Sequence, residues 1–396
     1  MVRFDRRQAL KLVAAAGAVG LTGACARDAP VHTGPAEAPV RIGLIIPQTG
    51  VLKSIGSEMV NGFQLYLDLN QRRLGGRTVN LIAADERDAP EAGRAAIDSL
   101  LGQNVVAMVG VADSALLLAV RDRVEEAKVP LLAAGGAPRA LQNLNAIWCT
   151  SYVDDEPGQV LGAHVARTAP PGGRVAIVAP TSPAGQEAVS GFRQSFGPTD
   201  PRISDPVVWT EADLRPRRGF FTAALDRVQA MGAGTLFCHY GGAAAVEFLK
   251  QLRATGLRPQ VYGTGVLTEG GVLAQAAEEA QGIRTALNYA TDLSNDANRR
   301  FAATYRRAHG VAPSAAAVAS YDAAQVLDKA IRIAGGRLTA QDINRAIARV
   351  GQIDSPRGTW QFNQPHTPQQ RWYLREVRPD GQVLSNVTVS ELATLG

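Results

Sequence analysis

The 396-residue chain has little of the chemistry that marks enzymes and metal proteins. It contains only three cysteines and five histidines, and its aromatic residues make up 6% of the sequence. Three cysteines form neither a disulfide framework nor a cysteine-ligated metal cluster. The histidines follow no metal-ligand spacing, and the chain has no G-x-S-x-G elbow and no phosphate-binding glycine loop. We therefore expect a protein that is not an enzyme and that holds no metal and no cofactor.

Long hydrophobic runs are absent as well. The apolar run at 12–21 is too short to span a bilayer, which needs about 20 apolar residues. It follows a pair of arginines, resembling a twin-arginine export signal, and leads to Thr22-Gly23-Ala24-Cys25. We expect residues 1–24 to be an export signal and Cys25 to carry lipid, although an ordinary signal with a chance cysteine has the same features. The proline-rich segment 25–39 predicts a flexible tether.

Excess positive charge is also missing once the signal is set aside. The whole chain has a formal net charge of +5, but segment 1–24 has four basic residues and one acidic residue. The difference of +3 leaves only about +2 for the rest, and no basic surface is evident. We expect no nucleic-acid partner.

The chain from Val40 onward alternates short β-rich runs with longer stretches of helical periodicity. One such set covers roughly 40–133 and a second covers 158–263. This alternation predicts two α/β lobes, each a parallel sheet covered by helices on both faces. Ligands bind such sheets beyond the carboxyl ends of the strands, so the cleft between the lobes is the expected site.

Polar and glycine residues follow several predicted strands. Asp113 and Ser114 come after a strand and begin a helix, where they cap the helix or leave backbone N–H groups free for a ligand carboxylate. The loop 133–138 exposes backbone in the same way. Tyr240 precedes two glycines and either faces a ligand or wedges the lobe interior. His239 beside it is the one histidine at a strand end, and we interpret it as structural.

A series of short stretches occurs in a fixed order along the chain: 42–50, 61–70, 75–76, 84–90, 109–114, 129–131, 240–242, 249–253, 278–282, 301–310 and 320–324. In order and spacing they resemble the type I periplasmic binding proteins of the branched-chain amino acid (leucine/isoleucine/valine) ABC transporter family. The resemblance covers essentially everything after Val40.

The resemblance implies two doubly wound parallel-sheet lobes joined by a three-strand hinge. Lobe 1 would comprise 40–153 and 288–360, and lobe 2 would comprise 154–287 and 361–396. The implied function is the solute-binding component of an ABC importer, which captures a small molecule in the cleft and delivers it to a permease. Such a protein is expected to be a monomer at the cell-envelope surface, periplasmic or anchored to the membrane by lipid on Cys25. The alternative is a lipid-anchored sensor or interaction protein of the same fold.

The pocket differs from that of the amino-acid binders. Ser114 matches the family serine that holds the ligand carboxylate, but the family threonine falls at Gly136 or Ala137 and the ammonium-binding carboxylate falls at Gly265. We therefore expect an amino-acid-like, amide or carboxylate-bearing solute rather than an ordinary α-amino acid. The expected ligand-binding residues are Ile55, Asp113, Ser114, Gly135, Gly136, Ala137, Tyr152, Asp155, Tyr240 and Gly265.

Some family members join the acidic loop to the strand-end loop by a disulfide. Its two positions align with Arg87 and Asp113. We expect an ion pair between these two side chains in place of the disulfide.

Overall fold

The structure is a computed structural model that describes residues 38–396, except residues 214, 216, 218 and 337. The predicted export signal, Cys25 and nearly all of the predicted tether lie outside these residues. Among the described residues, no helix is both long enough and apolar enough to cross a membrane.

The first sheet has six strands in the order β2-β3-β1-β4-β5-β7. All neighbouring pairs are parallel except β2 and β3. Two further short strands, β6 and β8, pair beside it. The strands are β1 Val40–Ile46, β2 Arg73–Leu74, β3 Arg77–Asp85, β4 Ala107–Gly110, β5 Leu131–Ala133, β6 Gly136–Ala137, β7 Ile147–Cys149 and β8 Tyr152–Val153. The helices between them are α1 Lys53–Leu69, α2 Pro90–Gly102 and α3 Ser114–Ala127.

The second sheet has the order β10-β9-β11-β12-β13-β15-β14, and β16 pairs with β15. Its strands are β9 Val175–Pro180, β10 Val208–Thr210, β11 Thr235–Cys238, β12 Gln260–Thr264, β13 Arg284–Leu287, β14 Gln361–Phe362, β15 Pro368–Asp380 and β16 Val383–Leu395. The associated helices are α4 Glu156–Thr168, α5 Pro183–Phe196, α6 Thr222–Met231, α7 Gly242–Ala254 and α8 Leu273–Ala280. Strands β9 to β13 are parallel. The long strand β15 pairs antiparallel with β13, and β16 pairs antiparallel with β15.

Three later helices return to the first sheet: α9 Asp296–His309, α10 Ala315–Ala334 and α11 Ala340–Ile347. Residues of α10 and α11 share one hydrophobic core with β1 and α1. Gly62 of α1 lets the two helices approach closely, since a Cβ there would lie 1.9 Å from the carbonyl oxygen of Ala317. The chain therefore passes between the lobes three times, after β7, after β13 and before β15.

This architecture confirms the predicted fold of two doubly wound lobes. The sequence patterns did not predict α8 or β13, nor the two-residue strands β2, β6 and β8.

Candidate functional site

A cleft of about 660 Å³ lies between the lobes, at the carboxyl ends of the parallel strands. The first lobe and the segment that leads out of it line the cleft with Val51, Leu52, Ile55, Glu58, Met59, Asp113, Ser114, Gly135, Gly136, Ser151, Tyr152 and Asp154, among others. The second lobe contributes Thr181, Ser182, His239, Gly241, Val266, Glu269 and Leu287. The volume is within the range of pockets that enclose small organic molecules.

The start of α3 forms one corner of the cleft. The Asp113 carboxylate accepts a hydrogen bond from the Ala115 N–H (2.8 Å), so the predicted helix cap is confirmed. The fully buried Glu86 carboxylate accepts hydrogen bonds from the backbone N–H groups of Ala112 (2.8 Å) and Asp113 (2.6 Å). Burial raises the pKa of Glu86 to about 8. The N–H groups of Ala112 and Asp113 are therefore not free for a ligand carboxylate, because a side chain of the protein already occupies them.

Ser114 faces a buried acid that the sequence interpretation did not select. Its hydroxyl donates a hydrogen bond to Asp154 Oδ2 (2.6 Å). Burial raises the pKa of Asp154 to about 7, and the nearby carboxylates of Glu187 and Asp155 act in the same direction. A Cβ at position 136 would lie 2.1 Å from Asp154 Oδ1, so Gly136 makes room for this carboxyl.

A second acid, the half-buried Glu58, lines the cleft from α1. It accepts a hydrogen bond from the Ser314 hydroxyl (2.6 Å), and burial raises its pKa to about 7, with a further increase from the charge of Glu269. The cleft is thus supplied with hydrogen-bond acceptors. Such carboxyls suit a ligand that presents N–H or O–H groups.

Two carboxylates join the lobes across the cleft. Glu269 of the second lobe is paired with Arg375 (2.6 Å) and accepts a hydrogen bond from the Ala315 N–H at the start of α10 (3.0 Å). On the other side, Glu187 of α5 accepts hydrogen bonds from the Arg139 N–H (2.9 and 3.0 Å). These contacts indicate that the described state has its lobes together.

The mouth of the cleft carries the charged residues Arg87, Asp88, Asp213 and Arg215. The nearest carboxylate to Arg87 is that of Asp85, at 3.9 Å. Asp113 uses its carboxylate to cap α3 instead. The expected ion pair between Arg87 and Asp113 is therefore absent from the described part of the chain.

His239, which we interpreted from the sequence as a structural residue, lines the cleft. Its Nδ1 lies 2.9 Å from the Thr264 hydroxyl oxygen. Burial lowers the pKa of His239 to about 4, so the ring is neutral at physiological pH. A neutral imidazole offers a ligand either a donor or an acceptor, according to its tautomer.

Six of the ten expected ligand-binding residues line the cleft: Ile55, Asp113, Ser114, Gly135, Gly136 and Tyr152. The other four have different surroundings. The Tyr240 hydroxyl lies 3.0 Å from that of Thr210, and its ring packs between Phe221 and Phe248 in the core of the second lobe. The Tyr240 side chain therefore points into the lobe interior and not into the cleft, because the two phenylalanines form a site for its ring there.

Asp155, Ala137 and Gly265 are also turned away from the cleft. Asp155 is buried and accepts a hydrogen bond from Arg139 Nε (2.7 Å). Ala137 belongs to a hydrophobic core of the first lobe. A Cβ at Gly265 would lie 2.4 Å from Leu287 Cδ1, so Leu287 fills the space that a longer side chain would need.

Similarity to known proteins agrees with this geometry. Residues 39–382 match the family model described as periplasmic binding protein. The chain belongs to this family. The Leu/Ile/Val-binding protein homolog 6 of Brucella melitensis biotype 1 is 26% identical over 356 residues, which cover 85% of this chain and 87% of that protein. The protein BraC3 of Rhizobium johnstonii, a Leu/Ile/Val-binding protein, is 24% identical over 320 residues, covering 79% and 84% of the two chains.

Solved structures give the same result. A solute-binding protein of an R. palustris ABC transporter, in complex with benzoate, matches with a TM-score of 0.82 and 26% identity over 90% of this chain and 97% of that one. LivJ of Streptococcus pneumoniae, in complex with isoleucine, matches with a TM-score of 0.75 and 19% identity over 89% and 100%. The protein is therefore an exported, periplasmic solute-binding protein of an ABC transporter with a small-molecule ligand. This confirms the family and the solute-binding function inferred from the sequence.

Proposed function

We propose that the protein captures an amino-acid-like solute whose amide or ammonium group faces Asp154, and that it delivers this solute to an ABC permease. The observation that carries the proposal is the buried pair of Ser114 and Asp154 on the cleft wall. Because Glu86 occupies the N–H groups of Ala112 and Asp113, and Asp113 occupies that of Ala115, this corner keeps few backbone donors, and the Asp154 carboxyl stands beside them as an acceptor. An ionised, desolvated carboxylate forms its strongest hydrogen bonds with ammonium and amide N–H groups.

The rest of the cleft suits an apolar body. Val51, Leu52, Ile55, Met59, Val266 and Leu287 line it from the two lobes. Burial of apolar ligand surface against such walls contributes about 25 cal/mol per Å² before the costs of binding. The ligand would thus combine one donor group with an aliphatic or aromatic remainder.

A second candidate is an aromatic carboxylate. The similar R. palustris protein was solved with benzoate, which favours this class. A pKa of about 7 means that Asp154 is partly protonated at neutral pH. The protonated carboxyl could donate a hydrogen bond to a ligand carboxylate, as a neutral acid does in other apolar sites.

Native mass spectrometry of protein purified without refolding tests the capture of a solute directly. We expect a mass increment that disappears on denaturation and that is lost or reduced in Asp154→Asn. The identified compound, supplied at 100 times its dissociation constant, should add about 2.7 kcal/mol to the free energy of unfolding. A chain that carries no increment and responds to neither amines, amides nor carboxylates would argue against the proposal.

We also propose that Cys25 carries lipid and that residues 25–39 tether a monomeric two-lobed protein to the membrane. The support is the Gly23-Ala24-Cys25 sequence after the apolar run. Replacing Cys25 by Ser should move the protein from the membrane fraction to the soluble fraction and remove a lipid mass from the mature chain. Light scattering of the soluble variant should give the mass of one chain.

A further inference from the structure

The three passages of the chain between the lobes meet at one buried arginine. Arg357 Nη1 donates hydrogen bonds to the Ser151 carbonyl oxygen (2.9 Å) and to Gln370 Oε1 (2.7 Å), and its Nη2 donates to the Thr150 carbonyl oxygen (2.7 Å). Residues 150 and 151 belong to the first passage. Gln370 lies near the start of β15, just after the third passage.

The second passage is tied to the same group. Asn288, directly after β13, donates from Nδ2 to the Ser151 carbonyl oxygen (3.0 Å) and to Gln370 Oε1 (2.7 Å). Gln370 Nε2 donates in turn to the Ser151 carbonyl oxygen (2.8 Å). Each of the four residues Arg357, Asn288, Ser151 and Gln370 is only 3% exposed. Contacts this well shielded from water are worth more than equivalent ones at the surface.

Arg357 is itself held from the first lobe. Its Nε lies 3.1 Å from Asp322 Oδ2 of α10, and its guanidinium stacks over the Trp360 ring at 4.7 Å. Asp322 also accepts hydrogen bonds from Ser355 (2.8 Å) and Trp360 (2.9 Å). The arginine is thus fixed to the first-lobe core on one side and to the passages on the other.

We propose that Arg357 is a positioning residue for ligand capture. Its planar fork bonds the first and third passages directly, and Asn288 ties the second passage to the same two partners, so that the lobes rotate about a single hinge and close in register. The same contacts fix the segment that presents Ser151, Tyr152 and Asp154 to the cleft. Hinge residues absorb the backbone rotation of domain closure, and a rigid five-donor group that bonds two of the passages couples those rotations.

This inference goes beyond the proposed function, because it concerns lobe closure and holds for a ligand of either class. Arg357→Lys tests the inference, because lysine keeps the positive charge but lacks the planar guanidinium that bonds Thr150, Ser151 and Gln370 together. Because a change at a buried ion pair can prevent folding, Gln370→Met is the decisive second variant. It removes the link to the third passage while Arg357 and Asn288 each keep a bond to the Ser151 carbonyl oxygen.

The distance between the lobes can be measured without any ligand by double electron–electron resonance on spin labels. Ser57 of α1 and Ala274 of α8 are exposed positions close to Ile55 and Gly270, where the lobes approach each other. Spin labels are attached at Ser57→Cys and Ala274→Cys in a Cys25→Ser background. Cys149 and Cys238 are buried and do not take the label, so the signal reports only the distance between the two introduced sites. In Gln370→Met and Arg357→Lys we expect the ratio of open to closed molecules to rise roughly 2- to 10-fold, the population equivalent of one lost hydrogen bond.

Arg332→Met is the matched control, because Arg332 pairs with Asp328 on the first lobe but is 59% exposed. It should leave the distance distribution unchanged. A Gln370→Met variant with the wild-type distribution, whether or not its thermal midpoint falls, would overturn the proposal. Failure to find a ligand would leave this measurement intact, so the two proposals can fail separately.

Discussion

The charge of Asp154 should reveal the class of the ligand. Its pKa is raised to about 7, chiefly by burial, with further contributions from the carboxylates of Glu187, Asp155 and Asp113. The carboxyl is mostly neutral at pH 6 and mostly ionised at pH 8. A ligand with an ammonium or amide donor should therefore bind roughly tenfold more tightly at pH 8 than at pH 6, since the ionised fraction rises by that factor. A ligand carboxylate needs the protonated form and should show the opposite slope.

Asp154→Asn makes the group neutral at every pH and should remove the part of either slope that comes from this residue, leaving only the part that Glu58 contributes from its own pKa of about 7. A donor ligand should lose about 1.5–3 kcal/mol of binding free energy, the contribution of a hydrogen bond to a charged group. A carboxylate ligand should keep its affinity, because the asparagine introduced by this substitution can donate from its side-chain amide.

The same substitution should change the stability of the ligand-free protein. Between the ordinary pKa of 3.8 and the raised pKa of about 7, the folded state binds more protons at Asp154 than the unfolded state does. The contribution of this residue to stability therefore falls as pH rises through that window. A shift of about three pKa units corresponds to a cost on the order of 4 kcal/mol above pH 7. Asp154→Asn removes this cost and should be more stable than wild type at pH 8, with little difference near pH 4.

Isothermal titration calorimetry with the ligand identified by mass spectrometry, at pH 6, 7 and 8, measures the affinities. Differential scanning calorimetry of the ligand-free proteins measures stability. Asp88→Asn, a change at an exposed acid of the cleft mouth, is the control and should leave the pH slopes in place. The reasoning is refuted if Asp154→Asn is no more stable than wild type at pH 8 and the affinity has the same pH dependence in both.

Three other substitutions test separate parts of the structure. Glu187→Gln weakens the link to the Arg139 N–H across the lobes and should lower ligand affinity by about 0.5–1.5 kcal/mol, measured by titration calorimetry, with the fold unchanged by circular dichroism. Tyr240→Phe loses the contact with Thr210 and should cost about 0.5–1.5 kcal/mol in urea unfolding; a large loss of ligand affinity instead would place Tyr240 at the ligand. Gly62→Ala forces α1 away from the backbone of α10 and should cost about 1–3 kcal/mol by the same unfolding assay, and an unchanged midpoint would contradict the close approach.

Local sequence patterns predicted most of the fold because the signals are themselves local. Helix α3 begins at the predicted place, Ser114, because a capping aspartate starts it and a periodic apolar face continues it. Strand β13 was missed because its four residues, Arg284–Leu287, include a charged and a hydroxyl side chain and no run long enough to show a period. Its place in the sheet depends on neighbours on both sides, β12 and β15, which are separate segments of the chain.

The site was predicted only in part, since its chemistry depends on contacts between distant segments. The strand-end loops that line the cleft were recognisable. The partners of those loops were not, because Ser114 meets Asp154 across 40 residues and Glu86 meets Ala112 across 26. The spacing of residues within one strand-end loop does not indicate which distant residue will contact that loop, so neither pair could be predicted. Tyr240 was ambiguous for a related reason, as only the surrounding Phe221 and Phe248 decide which way its ring points.

The two glycines that suggested a lost amino-acid site have different meanings in the structure. Leu287 fills the space beside Gly265, so that position has no room for an acidic side chain. Gly136 instead makes room for an acid, because the absence of a side chain there lets the Asp154 carboxyl lie beside Ser114. The acceptor that we propose for a ligand donor thus stands on the segment that joins the lobes. Since Arg357 fixes that segment through the carbonyl oxygens of residues 150 and 151, we expect selection of the ligand's charge and closure of the lobes to depend on the same stretch of backbone.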